Sequence, residues 1–302
     1  MIQIFLVFWL ISAIMIIIDK KIVRLLIYLG IFSMVSAVCF FMLAAPDVAM
    51  AEAAISVYST IIFVVCFEKY YNLADNSIGE RGKILNIILA ICFTGFLAFL
   101  FFMFVPEVSA STYLKDQYIS RFSQDIGGEN AVTAIYLGYR VYDTLFEALM
   151  LLVSIAGIIH LSWHKEVVTS ATGFGIGSNR IVETSIRLIV PLIILFSLHL
   201  IVNGHITAGG GFQGGALIAV LFICRYIIYH INDLDIDKIV VIEKLVFVLI
   251  SLVAIYFIFL RAGNFLLIPQ GAYLVVMNVL VGIKIACGLL IMFYRFVIYE
   301  RS

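Results

Sequence analysis

Charged residues are scarce in this 302-residue chain: Asp, Glu, Lys and Arg make up only 13% of it, about half their share in soluble domains. Neither sign is in excess, because 19 basic residues balance 19 acidic ones, so no basic face for nucleic acid is indicated. The 5 cysteines include no Cys-x-x-Cys pair, which argues against zinc or iron–sulfur ligation. With 64% apolar residues, the composition excludes a soluble enzyme or a disordered regulator and indicates a membrane protein.

Long apolar runs predict nine membrane-spanning helices, each near the twenty residues that cross a bilayer core. The predicted spans are 2–18, 22–44, 47–67, 84–105, 142–162, 186–203, 212–231, 239–260 and 272–297. Most lysines and arginines fall in loops that lie inside if the N-terminus lies outside. The sequence therefore predicts an all-α integral membrane protein, with its N-terminus outside and its C-terminus inside. Segment 106–141 has room for a short surface helix, and segment 163–185 is interpreted as a linker.

The third predicted span carries two acids, and each needs a physical reason because a charge at mid-bilayer costs roughly 2.5–3.5 kcal/mol on insertion scales. Asp47 follows Pro46 at the start of the span, where an acid acts as a helix cap. Glu52 lies deeper, with Ser56 and Ser59 on the same helical face. Glu52 either handles protons or ions, or makes a structural hydrogen bond to another helix.

The fifth predicted span opens with polar residues at helical spacing. Arg140 and Asp143 most simply form an interfacial ion pair, with Thr144 on the same face. Glu147, one turn deeper, either completes that pair or is a titratable group in its own right.

Between the sixth and seventh predicted spans lies a glycine-rich segment, residues 203–215. Its glycines include Gly204, Gly209, Gly210, Gly211, Gly214 and Gly215. The segment either presents the amino end of a helix to an anion or polarised group, or makes a tight turn packed against another helix. His205 within it is a candidate titratable group or a structural residue, and His199 lies about a turn and a half earlier.

Lys284 lies in the middle of the ninth predicted span, too deep to reach water easily. A lysine at this depth is functional by default. It serves a proton relay, or it pairs with a carboxylate such as Glu52 or Glu147.

Three motifs resemble a known set of membrane modules in the order that those systems use. Ala45-Pro46-Asp47-Val48-Ala49 with Glu52 resembles the three-helix domain near the C-terminal end of the A subunit of Mrp-type sodium/proton antiporters, also found as a separate subunit of membrane-bound hydrogenases. Segments 130–135 and 139–148 resemble the two-helix module that follows, and segment 204–215 resembles the signature of the four-helix B subunit. The resemblance divides the chain into modules at 1–75, 76–165 and 166–302. Ala208 replaces the usual proline of the B-type signature, and the acid at Glu52 favours the hydrogenase-like relatives.

The resemblance implies a membrane subunit of a multi-subunit sodium/proton antiporter module in a prokaryotic plasma membrane. Its partners would be antiporter-like membrane subunits, the lipid bilayer and, in the redox-driven systems, a soluble iron–sulfur or nickel–iron arm. The chain would hold no cofactor or metal and no catalytic centre, and sodium ions or protons would be the transported species. Glu52, Glu147, Lys284 and His205 are the predicted path residues.

Three other functions remain as alternatives to an ion path. The first is a purely structural assembly role in the complex, in which glycines and buried ion pairs serve only packing. The second is a stand-alone solute carrier, although the internal inverted repeats typical of such carriers are not evident. A membrane-embedded enzyme ranks last, because no nucleophile–base set or metal-ligand spacing emerges.

Overall fold

A computed structural model gives an all-helical chain, with no strand in the part that it describes. That part comprises residues 2–19, 21–70, 113–161, 180–229, 235–262 and 270–297, with four helical positions at 92, 95, 96 and 99. The predicted fourth span, apart from these four positions, and most of the predicted linker at 163–185 lie outside the described residues.

Apolar runs form most of the long helices, as expected for segments that must satisfy their backbone hydrogen bonds within lipid. In chain order the helices are α1 Ile2–Ile18, α2 Ile22–Met42, α3 Pro46–Tyr70, α4 Tyr113–Asp125, α5 Ala131–Ala134, α6 Val141–Leu161, α7 Arg180–Asn203, α8 Gly211–Tyr229, α9 Ile236–Ala262 and α10 Gln270–Val297. Among the described residues, 6 helices are long and apolar enough to cross a membrane, and α1 and α8 contain shorter apolar stretches. The chain is therefore a multi-pass membrane protein.

The segment before α6 contains short helices rather than a span. Helix α4 has no buried residue, which confirms the predicted short surface helix. The Asn130 side chain caps α5 by accepting from the N–H of Val132 at 2.9 Å. A π-helix, Ile135–Tyr139, follows α5 directly and ends at Arg140, whose φ of −115° and ψ of 37° break the helix. Arg140 therefore lies directly before the first residue of α6, Val141, and not within the helix.

Helix α10 is the centre of the bundle. Of its most apolar stretch 67% is buried within the chain, against 17% to 33% for the other spans. It packs most extensively against α8 and α9, and it also contacts α3, α6 and α7. The Tyr58 hydroxyl ties α3 to α10 by donating to the Leu289 carbonyl at 2.6 Å. Most of the side chains of α10, Lys284 among them, are therefore removed from lipid.

Glycines set the close approach of α8 to its two neighbours. A Cβ atom at Gly211 would lie 2.2 Å from the Asn278 carbonyl oxygen, and one at Gly215 would lie 2.4 Å from the Gly282 carbonyl oxygen, both on α10. On another face of α8, a Cβ atom at Gly214 would lie 2.4 Å from Ile201 of α7. These three glycines therefore allow α8 to pack closely against α7 and α10.

Candidate ion site and polar junction

A buried ion pair joins α9 to α10. Lys284 on α10 donates to the Glu243 carboxylate on α9, and each side chain is only 1% exposed. The ammonium also lies 4.9 Å from the centre of the Phe247 ring. The prediction that Lys284 pairs with a carboxylate is confirmed, but the two partners named for it, Glu52 and Glu147, are wrong, because the adjacent helix supplies Glu243. Glu243 itself was missed by the sequence reasoning.

A cavity of about 120 Å³ lies beside this pair and brings Glu147 and Lys284 to one place. Thr144 shares its wall, and its hydroxyl donates to the Tyr136 carbonyl at 2.7 Å. The remaining lining residues are apolar: Ala148, Leu151, Phe212, Ile250, Val281, Ile285 and Leu289. A space of this size, with polar groups on its wall, has room for water or a small ion.

The predicted interfacial pair is confirmed, and it excludes Glu147. Arg140 Nε lies 2.5 Å from Asp143 Oδ2, with both side chains about half exposed. Glu147 makes no ion pair with Arg140 among the described residues and lines the cavity instead. The structure therefore separates the two roles that the sequence left open for this carboxylate.

Asp47 is the centre of a second polar cluster, the junction of Asp47, Asn130, Thr133 and residues 204–209. Asp47 Oδ1 accepts from the Asn130 amide at 3.0 Å and from the Gly209 N–H at 2.9 Å. The same Asn130 amide donates to the Thr207 carbonyl at 2.9 Å, and the Thr133 hydroxyl donates to the Gly204 carbonyl at 2.6 Å. Asp47 lies in the first turn of α3, as a capping acid does, but its carboxylate also joins three distant segments.

A third polar group, Asn278 on α10, was also missed by the sequence reasoning. Its side-chain oxygen accepts from the Gly211 N–H at 3.2 Å and from the Tyr136 hydroxyl at 3.1 Å. Burial raises the pKa of Tyr136 to about 12, so this hydroxyl keeps its proton as a donor. The fully buried Asn278 Nδ2 has no hydrogen-bond partner among the described residues. An amide within an otherwise apolar span was the available signal.

The other predicted path residues lie outside the cavity wall. Glu52 is half-buried on α3, and the Ser56 and Ser59 hydroxyls bond to carbonyls of their own helix, those of Ala53 and Ile55. No described cluster of three His, Cys, Asp or Glu residues could hold a metal ion.

The two predicted histidines, His199 and His205, make hydrogen-bond contacts at the end of α7. His205 Nδ1 lies 3.1 Å from the Val202 carbonyl oxygen, and the His205 carbonyl accepts the N–H groups of Glu129 and Asn130. His199 Nδ1 lies 2.9 Å from Asn203 Nδ2. These contacts are local or structural ones.

Two family models match separate parts of the chain. Residues 181–291 match the domain related to the MnhB subunit of Na⁺/H⁺ antiporters. Residues 7–71 match MbhD, the D subunit of MBH. Antiporter subunit mnhA2 of Staphylococcus haemolyticus is 27% identical over 137 residues, which is 45% of this chain and 17% of that protein. The chain thus spans about a sixth of the length of this curated relative.

Two solved structures share the fold. The chain aligns over 99% of its length with 35% of a chain in the Mrp complex from Dietzia sp. DQ12-45-1b, with a TM-score of 0.80 and 18% identity. It aligns over 72% of its length with 99% of a chain in the membrane-bound sulfane sulfur reductase, an archaeal respiratory membrane complex, with a TM-score of 0.58 and 26% identity.

The chain is therefore similar to the multi-pass membrane subunits of the Mrp and MBH type. One polypeptide here contains both a region that matches MbhD and a region that matches the MnhB-related domain. The resemblance found in the sequence motifs is thereby confirmed.

Proposed function

We propose that this chain is a membrane subunit of a multi-subunit cation/proton antiporter module and that it forms part of the ion or proton path. The observation that carries the proposal is a cavity lined by both Glu147 and Lys284, where Lys284 is also paired with Glu243. Sodium ions or protons are the transported species, and the chain itself holds no cofactor.

The charges around the cavity support this role. Two carboxylates and one ammonium leave one negative charge when all three groups are ionised. One added proton or monovalent cation makes these three groups neutral together. Neutrality is favoured because an unbalanced charge beside apolar walls is costly. Lys284 and Glu243 already neutralise each other. Glu147, an exposed residue that lines the cavity, is therefore the group that takes up this proton or cation.

The wider organisation follows the resemblance. We propose nine spans with the N-terminus outside, of which 84–105 is the fourth, and three modules at 1–75, 76–165 and 166–302. Antiporter-like membrane subunits are the partners, because both solved neighbours belong to membrane complexes. A soluble redox arm is a further partner if the parent complex is of the respiratory kind.

A structural assembly role is the second candidate function, and the Asp47 junction favours it. A carboxylate that accepts from Asn130 and Gly209 holds distant segments together without any ion movement. In this alternative the Lys284–Glu243 pair also serves only assembly.

Neutral variants of the path acids separate the two functions. Sodium-dependent proton movement is measured in inverted membrane vesicles and divided by the amount of assembled complex. For Glu147→Gln we expect this ratio to fall by about tenfold or more, because a positioned proton-transfer group contributes at least that much. Glu52→Gln tests the remaining acid of the predicted path in the same way.

The control is Asp116→Asn, which neutralises an exposed acid on α4. It leaves the ratio unchanged. If Glu147→Gln and Glu52→Gln also leave transport per complex unchanged, the ion-path role is wrong. If these variants only reduce the amount of assembled complex, the structural function is favoured.

A further inference from the structure

A groove of about 520 Å³ runs between α7 and α8, away from the ion cavity. Its body is apolar, formed by Val190, Pro191, Ile194, Leu198, Ile218, Leu221 and Phe222. Its remaining two lining residues are Arg187 and Arg225. The groove therefore combines hydrocarbon walls with two cationic side chains.

The two cations lie at the same end of this groove. The short connection 204–210 makes α7 and α8 antiparallel neighbours, with Arg187 in the first half of α7 and Arg225 near the end of α8. Leu198 on α7 and Ile218 on α8 line the opposite end. From Arg187 to Leu198 the helix rises roughly 16 Å, which suits one extended acyl chain.

We propose that this groove binds an anionic phospholipid, with an acyl chain along α7 and α8 and its phosphate at Arg187 and Arg225. Apolar walls fit the chain, and the paired guanidinium groups complement the phosphate, a combination typical of lipid headgroup sites between membrane helices. Arg187 also pairs with Glu183 at 2.5 Å. A guanidinium has five donors in a planar fork, so it can contact the carboxylate and a phosphate together.

The preference of this groove for anionic lipid comes from its own two cations and not from the net charge of the chain. Because the formal charge is zero, the protein as a whole does not attract anionic lipid, and preference for such lipid has to come from a local cluster of cations.

Lipid titration of the purified complex tests the proposal. The complex is placed in phosphatidylcholine nanodiscs with increasing phosphatidylglycerol of the same acyl chains, and bound lipid is counted by native mass spectrometry. We expect phosphatidylglycerol to be retained over phosphatidylcholine, and Arg187→Gln with Arg225→Gln to reduce that retention by about tenfold, the effect of losing contacts worth about 1.4 kcal/mol. Arg180→Gln, on the same helix but outside the groove, leaves retention unchanged.

Two further measurements test whether the apolar part of the groove holds a lipid. Ile194→Trp narrows the apolar part while both arginines remain, and we expect it to lower retention as well. A photo-crosslinking residue at position 218 is expected to label lipid in native membranes. Equal retention of the two lipids, no effect of the double arginine variant, or a crosslink to a neighbouring protein overturns the proposal.

Discussion

The neighbours of Lys284 determine how costly its buried charge is. In an otherwise apolar helix its ammonium would be costly, but Glu243 supplies an opposite charge at the same depth, with both side chains 1% exposed. Phe247 adds a ring beside the ammonium. The two charges therefore neutralise each other, and Glu147, which lines the same cavity as Lys284, is the remaining acid of the group.

Replacing one member of the Lys284–Glu243 pair should destabilise the protein more than replacing both. We expect Glu243→Gln or Lys284→Met alone to lower the stability of the protein by about 3 kcal/mol, because the remaining charge is left buried without a partner. The double variant should recover most of that loss. Thermal unfolding of the complex in detergent measures the three variants, and equal stability of the single and double variants would contradict a desolvated pair.

At the scale of elements, glycine spacing decides which helices touch. Gly211 and Gly215 lie one turn apart on α8 and bring its backbone against α10 around Gly282. Such small-residue spacing lets membrane helices approach closely and gain packing contacts. Because α10 carries Lys284, this contact also positions one wall of the ion cavity.

Adding a methyl group at this contact should separate the two helices. Gly215→Ala would place a Cβ atom 2.4 Å from the Gly282 carbonyl oxygen, so we expect a loss of about 1–3 kcal/mol from overpacking. The matched control is Gly157→Ala on α6, where nothing lies within 4 Å. That control should be neutral or slightly stabilising. Melting temperatures in detergent distinguish the variants, and similar losses for both would refute the packing argument.

At the scale of the whole molecule, the Asp47 junction links described segments that are far apart in the sequence. The carboxylate of α3 meets the cap residue of α5 and the backbone after α7, so three regions far apart in sequence share one set of hydrogen bonds. Buried networks of this kind are strong only when every member is satisfied.

Replacing Asp47 should loosen this junction in a graded way. Asp47→Ala removes the acceptor for two donors, and we expect amide hydrogen exchange at Gly209 to rise by about tenfold. Asp47→Asn keeps a side-chain oxygen that can accept both bonds, and it should retain most of the protection. Exchange measured by mass spectrometry on the complex decides, and unchanged protection in Asp47→Ala would contradict the role of this carboxylate.

Much of the helix layout could be predicted from the sequence, because lipid forces long apolar runs to be helical. Predicted spans 2–18, 22–44 and 47–67 agree with α1, α2 and α3 to within about three residues. The π-helix before α6 could not be predicted, since apolar periodicity does not report the polar partners of Tyr136 and Thr144.

The candidate site could be predicted only in part, for a different reason. Glu147 and Lys284 could be identified because a charged side chain is costly in lipid, and both line one cavity. The partner of Lys284 could not be deduced, because hydropathy gives the depth of a residue but not which helices are neighbours. Glu243 lies near the start of its predicted span beside Lys244, where it resembled an ordinary interfacial charge.

The Lys284–Glu243 pair also bears on how the protein is made. Its two charges lie on α9 and α10, which are consecutive in the chain, so they emerge from the ribosome one after the other. A hairpin of these helices can enter the bilayer with its charges already neutralised, which avoids the cost that each helix would meet alone. Helix α9 is thus the partner of α10 both during membrane insertion and in the folded bundle.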